Sequence, residues 1–306
     1  MSVLTESLLI VGTGALASLF AARFAAADLP VTMLGNWPEG VRALRDQGVH
    51  LVDTDGSEST YPVQVISSPE DHQHFSHALV LVKSWQTERT ARQLVDYMQP
   101  DGRVLTLQNG LGNREILAHY FGEDHVYTGV TTSGATLLGP GRVHARGIGT
   151  ISLLDHGEMR VYADWFQHAG FSVKTFSDME GLIWGKLVVN AAINPLTALL
   201  GVPNGELLKL NTARVLMANT AREVAAVSTA KGVPLPFNEP DVEVEEVARQ
   251  TAKNHSSMLQ DIQRGAPTEI DAICGAIVET GTQLGVPTPI NDTLYQLVKA
   301  LVEKQK

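Results

Sequence analysis

Residues 185–199 read GKLVVNAAINPLTAL. Lys186, Asn190 and Asn194 are set four residues apart in an otherwise apolar run. On a helix, positions four apart share a face, so an ammonium and two amides would form a polar stripe there. A single lysine of this kind reads as snorkelling from a buried helix, and a single asparagine as a satisfied core amide. Three in register, followed by Pro195, point instead to a cleft wall. The proline ring removes a backbone N–H and frees the Ala191 carbonyl, which predicts a kink. Such a stripe suits the reduction of a ketone by hydride transfer. Negative charge then develops on the carbonyl oxygen, and an ammonium aimed at it both stabilises and protonates it. Amides can orient the other polar groups of the molecule being reduced.

A source of hydride is suggested near the start of the chain. IVGTGALA carries Gly12, Gly14 and Ala17 as G-x-G-x-x-A between an apolar run and a helical pattern. In that context Gly12 permits a tight turn and Gly14 lets the backbone approach a pyrophosphate. Ala17 is small enough for close helix–strand packing. The whole segment, Gly12, Thr13, Gly14, Ala15, Leu16 and Ala17, is therefore a candidate dinucleotide loop. The helix N-terminus behind it offers free N–H groups to an anion. The next strand ends MLGNWPEGVR, with Asn36 where NAD enzymes often place an acid. No carboxylate stands there to repel a 2′-phosphate, and Arg42 is the nearest cation. NADP is mildly favoured.

These groups need elements to hold them. The runs 8–11, 31–34, 77–82 and 103–108 read as strands, each followed by a helical pattern. Alternation of this kind predicts a parallel sheet with helices on both faces. Residues 126–154 are Gly-rich with β-prone ends and are expected to add strands closing the sheet edge. After about Asp178 every periodic segment is helical, with Gly232 and Gly285 as C-caps. The expected fold class is α/β: a Rossmann-type doubly wound sheet over 1–178, then an all-α domain over 179–306 carrying the polar stripe.

Composition narrows the partners. The 306 residues carry a net charge of −10, which argues against nucleic acid or an anionic membrane. The apolar stretch 8–27 is preceded by Glu6 rather than by a cation, and is interrupted by glycines and Arg23, so a signal peptide is rejected. No other run is expected to span a bilayer. Cys274 is the one cysteine, which rules out an intramolecular disulfide and fits a reducing cytoplasm. It is expected to be a small buried thiol. His72, His74 and His77 lack a completing ligand set beyond Asp71, so no metal is expected. VEVEEVAR reads as a solvated helix face.

The chain resembles the ketopantoate reductase family nearly end to end. The resemblance is carried by the glycine loop, VKSWQ at 82–86, LQNGLG at 107–112, WGKLVVNAAINPLTAL at 184–199, VPNGEL at 202–207 and SSMLQDIQRGAPTEIDAICG at 256–275. It implies reduction of 2-dehydropantoate to (R)-pantoate with NADPH, a step towards pantothenate and coenzyme A. It implies that Lys186 is the proton donor and that Glu269 completes the site. Asn190, Asn194 and Asn204 would contact substrate, and Ser257 would help to hold its carboxylate or hydroxyl. Lys83 and Asn109 would lie where cofactor meets substrate, with Ala135 beside the cofactor. Asn36 stands where many members carry a base for the 2′-phosphate, which leaves NADH use open. The residues themselves also admit plainer roles. Lys83 could reach solvent, Asn109 could serve a turn, and Ser257 could cap a helix. Glu269 after Thr268, in TEID, resembles a capping box. A non-catalytic NADP-binding sensor and a paralogue acting on another branched 2-keto acid are the competing functions. The partner expected is a small 2-keto acid; the oligomeric state is left open, a homodimer included.

Overall fold

The structure is a computed structural model that describes residues 8–67 and 74–305. The chain divides into two compact units. The first runs to Val82 and includes Gln86–Gln108 and Asn113–Met179; the second holds Lys83–Trp85, Asn109–Gly112 and everything from Glu180.

In chain order the first unit contains β1 (Leu8–Val11), α1 (Ala15–Ala26), β2 (Val31–Leu34), α2 (Pro38–Gln47), β3 (Val49–Val52), β4 (Glu58–Tyr61), β5 (Gln64–Ile66) and β6 (Phe75–Val80). It continues with α3 (Thr87–Leu94), β7 (Met98–Thr106), α4 (Asn113–Phe121), β8 (Val126–Thr128), β9 (Val130–Thr131), β10 (Gly134–Gly139), β11 (Arg142–Gly147), β12 (Thr150–Leu154), α5 (Arg160–His168) and β13 (Ser172–Phe176). Its main sheet has the order β5-β2-β1-β6-β7-β8, and every pairing in it is parallel.

Strand β1 shows why the sheet is buried on both faces. Side chains alternate along a strand, and here both sets are apolar. Leu8 and Ile10 join one core cluster, and Leu9 and Val11 join the other. The first cluster is closed by Phe20 of α1 stacked on Phe171 at 4.6 Å, with Phe166 of α5 edge-on at 5.7 Å. Connections leave β1 in one direction towards β2 and the chain later returns on the other side as β6. Ligands of such sheets bind at that reversal, beyond the strands' C-terminal ends.

The segment 126–154 departs from expectation. Only β8 extends the main sheet. β10 and β11 form a hairpin that joins β3 and β4 in a separate four-stranded sheet, and β12 lies between β13 and β9 in a third. The helical pattern after residue 86 also ends early: α3 stops at Leu94, a 3-10 turn covers Val95–Tyr97, and Met98 already begins β7.

The second unit is helical: α6 (Glu180–Leu200), α7 (Asn211–Lys231), α8 (Pro240–Gln250), α9 (Ser257–Gln263), a π-helical turn (Asp271–Gly275), α10 (Ala276–Leu284) and α11 (Pro289–Lys304). Helix α6 packs against α7, α8, α9 and α11. Its apolar residues from Trp184 to Ala198 form the centre of this unit's core. Gly185 permits this closeness, because a Cβ there would lie 2.8 Å from Pro236 Cγ. Helix α6 is also long and apolar enough, by length and composition, to cross a membrane. That corrects the expectation that no such run exists; 67% of that apolar window is buried inside the protein. The helix runs on through Pro195, and the Thr197 hydroxyl donates to the Ile193 and Asn194 carbonyls beside the break in the ladder. Gly232 and Gly285 end α7 and α10 in the left-handed conformation, as the sequence predicts. Helix α11 is capped from another helix: Glu223 of α7 accepts the N–H groups of Ile290 and Asn291, each at 2.9 Å.

Candidate active site

The glycine turn follows β1 directly. Gly12 has φ +128°, a conformation that L side chains rarely adopt, and a Cβ there would press on Val82, Ala17 and Leu81 at 3.3–3.4 Å. Gly14 is the exposed N-cap of α1, which has no side-chain cap and no acid in its first turn. The backbone N–H groups of such an uncapped helix start can take an anion. Thr13 is buried against Gly35, where a Cβ would fall 2.3 Å from Thr13 Cγ2. Ala15 and Leu16 are half-buried and Ala17 fully buried beneath the turn. Ala135 lies in β10, which packs against α1. Exposed Asn36, beyond β2, donates from Nδ2 to Gln93 Oε1 at 2.7 Å, and Arg42 is exposed on α2. The loop's geometry fits a dinucleotide.

Gln108, which sequence reasoning missed, braces the strand ends. Its Nε2 donates to the Val82 carbonyl at 2.9 Å and to Thr87 Oγ1 at 2.8 Å. Thr87 in turn donates to Asn113 Oδ1.

A second cluster belongs to the helical unit. Lys83 Nζ donates to Asp261 Oδ2 at 2.7 Å and to Glu269 Oε2 at 3.4 Å. Glu269 Oε1 accepts from the Ser84 N–H at 3.2 Å, and Oε2 from Asn109 Nδ2 at 3.3 Å. The turn that presents Asn109 requires Gly110: its φ is +82°, and a Cβ would fall 2.4 Å from the Ala272 carbonyl oxygen. Glu269 is therefore no helix cap. It is 4% exposed, and its carboxylate points at the Lys83–Ser84 and Asn109 segments, while the buried Thr268 hydroxyl has no hydrogen-bond partner among the described residues. Nor is Ser257 a cap; that role falls to Ser256, whose Oγ accepts from the Leu259 N–H, and Ser257 is the half-buried first residue of α9.

The two lysines differ in electrostatics. Burial opposes the Lys83 charge, but Glu269 and Asp261 outweigh it and hold its pKa above the ordinary lysine value. Burial pushes Lys186 down to about 8, with Glu269 pulling the other way. Lys83 is held in ion pairs with both carboxylates, whereas burial shifts Lys186 towards its neutral amine. Asn190 and Asn194 follow on the same face of α6. Asn194 is 7% exposed, and neither amide side chain hydrogen bonds to another described residue. Asn190 is half-buried, and amides placed in this way can take up a polar ligand or water. Asn204 differs: its Nδ2 donates to Thr251 Oγ1 at 2.9 Å and its backbone N–H to Asn254, although its buried Oδ1 has no partner among the described residues.

Asp261 and Arg264 were not anticipated. Asp261 is 2% exposed and accepts from both Lys83 and Arg264, the latter at 2.6 Å. Its signal in the sequence is an acid in the apolar phase of Met258, Leu259 and Ile262.

Of the histidines, His72 lies outside the described residues. His77 packs edge-on against Tyr162 and Trp165. No group able to hold a metal ion occurs among the described residues. Cys274 is buried, and burial pushes its thiol up.

The parallel sheet with a glycine turn at its reversal, followed by a helical unit, defines a Rossmann-like α/β protein. More particularly, the chain belongs to the ketopantoate reductase PanE/ApbA family: residues 8–158 match that family's model, and 178–302 match the model of its C-terminal part. A 2-dehydropantoate 2-reductase of Halobacterium salinarum is 35% identical over 295 residues, 94% of this chain and 96% of the relative. Among solved structures, a PanE/ApbA family ketopantoate reductase from Ralstonia eutropha JMP134 superposes with a TM-score of 0.90 at 30% identity, covering 98% of this chain and 99% of that one. D-mandelate dehydrogenase, in a ternary structure with NADH and anilino(oxo)acetate, gives 0.91 at 28% identity, with coverage of 98% and 99%.

Proposed function

We propose that the chain is an NADPH-dependent 2-dehydropantoate 2-reductase, reducing ketopantoate to (R)-pantoate on the way to pantothenate and coenzyme A in the cytoplasm. The observation that carries this reading is Lys186, lowered to about 8 beside Glu269, on the same helix face as the amides of Asn190 and Asn194.

NADPH, when bound at the Gly12–Ala17 turn, supplies the hydride. Lys186 donates to the carbonyl oxygen and transfers its proton as negative charge develops there; it regains a proton from water afterwards. A depressed pKa suits that task, whereas Lys83, tied to two carboxylates, is a poor acid and serves to bind and orient. Asn190 and Asn194 supply donors and acceptors to the substrate's remaining oxygens, together with Ser257, Asn109 and the Asn204 carbonyl. Glu269 accepts the hydrogen bond of the substrate's terminal hydroxyl. Ala135 lies beside the cofactor.

Preference for NADPH rests on the lack of a carboxylate after β2. Asn36, a neutral residue already bonded to Gln93, keeps that preference small and leaves NADH usable. The likeness to D-mandelate dehydrogenase favours one second reading, action on another 2-keto acid. The test is loss of NADPH absorbance over a panel of 2-keto acids, repeated with NADH. Fastest turnover on ketopantoate is expected. Preference for a keto acid lacking the hydroxyl would establish the second reading, and inertness towards all would leave a sensor.

A further inference from the structure

Asp261 is the most deeply buried carboxylate of the Lys83 cluster, 2% exposed. Its two oxygens are divided between two cations: Oδ2 accepts from Lys83 at 2.7 Å and Oδ1 from Arg264 at 2.6 Å. Glu269 is held differently, by three longer contacts of 3.2–3.4 Å. Lys83 thus sits near two carboxylates but is bonded tightly to only one of them.

We propose that Asp261 is a positioning residue: by holding Lys83 tightly, it keeps that ammonium from closing on Glu269 and so preserves the charge that Glu269 presents to Lys186. The proposal rests on the reading that Lys186 is the proton donor. The charged groups around Asp261 are Lys83 from the loop after β6, Arg264 from the end of α9 and Glu269 from the segment before the π-helical turn; the Glu269 charge also acts on Lys186 of α6. Arg264 completes the device. It occupies the second oxygen of Asp261, so the carboxylate cannot rotate away from Lys83 without breaking a second charge-assisted bond. Lys83, Lys186 and Arg264 against Asp261 and Glu269 leave one net positive charge, which matches a monoanionic 2-keto acid.

Without the Asp261 charge, Lys83 has one carboxylate left and moves onto Glu269. Glu269 then supports the Lys186 charge less, and Lys186 loses its proton at lower pH.

The test is Asp261→Asn. Its kcat/KM for ketopantoate should fall about tenfold or more. The alkaline limb of its pH profile should move down by ~0.5–1 pH unit. Nζ resonances of isotopically labelled lysine, assigned with Lys83→Arg and Lys186→Arg, should show Lys186 titrating lower and the Lys83 environment changed. Asp261→Glu, which keeps the charge, should restore the alkaline limb while recovering only part of kcat/KM, and it is the variant to use if the asparagine form does not fold. A folded Asp261→Asn with an unmoved limb and unmoved lysine titrations would overturn the proposal, whatever its melting temperature. So would an Asp261→Glu protein whose limb shifts downward. If the native protein reduces no 2-keto acid, the functional reading fails, and the lysine titrations still decide the positioning role.

Discussion

Replacing Lys186 with Met should make the protein more stable at neutral pH while disabling it. The sign follows from linkage. The lysine's folded pKa, about 8, lies below the ordinary 10.5, so between those values the unfolded chain binds more protons. Stability contributed by this group therefore rises with pH from about 8 to 10.5, and below 8 the whole penalty for burying the charge is present. At about 1.4 kcal/mol per pH unit, the ceiling on that penalty is roughly 3.5 kcal/mol. Lys186 keeps partial exposure, and water screening reduces the expected gain to ~1–2 kcal/mol. Methionine fills the space of the lysine stem without its charge. Urea unfolding of both proteins at pH 7 and at pH 9.5 measures the effect. The variant should be more stable at pH 7, with the gap narrowing at pH 9.5, and its kcat should be lower by ~10²–10⁴-fold. A variant less stable than the native protein at pH 7, by an amount unchanged at pH 9.5, would refute the claim that Lys186 is a strained, desolvated ammonium.

Glu269→Gln should lower kcat/KM and narrow the preference for ketopantoate over α-ketoisovalerate, because a site built around a hydroxyl discriminates strongly against its absence; an unchanged ratio between the two substrates would mean the hydroxyl is read elsewhere. Asn36→Arg should tighten NADPH relative to NADH by roughly 1.5–3 kcal/mol through charge-assisted bonds to the 2′-phosphate, as measured by the two dissociation constants. Equal shifts for both cofactors would remove position 36 from the ribose. Gly110→Ala forces a positive φ on a side chain and drives Cβ into the Ala272 carbonyl, so it should cost ~1–3 kcal/mol in denaturant unfolding and raise KM by displacing Asn109.

The polar stripe was legible because α-helical spacing alone brings Lys186, Asn190 and Asn194 onto one face. The glycine turn was legible because strand, glycines and helix occur together in sequence. What stayed hidden was decided at long range. Lys83 and Asn109 lie in the first half of the chain yet belong to the helical unit, and Lys83 meets its carboxylates 178 and 186 residues away. No local pattern encodes that pairing. The capping-box pattern at Thr268 and Glu269 was misleading for the same reason: the carboxylate finds Ser84 and Asn109 instead of its own helix start. Strands β4 and β13 escaped notice because their mostly exposed side chains lack the alternation of a half-buried strand. Residues 126–154 did read as strands, but which sheet each strand joins depends on partners such as β3, which periodicity does not specify.

The central claim is that Lys186 gives its proton to the carbonyl oxygen of a 2-keto acid. The pH dependence of kcat/KM for ketopantoate, measured with saturating NADPH in native protein and in Lys186→Arg, tests it directly. The native profile should turn down near pH 8 and fall about tenfold per further pH unit. The arginine variant should retain little activity, with no downturn in that range, because its guanidinium does not release a proton there. A native profile flat to pH 10, or an arginine variant with native turnover and the same downturn, would contradict the account.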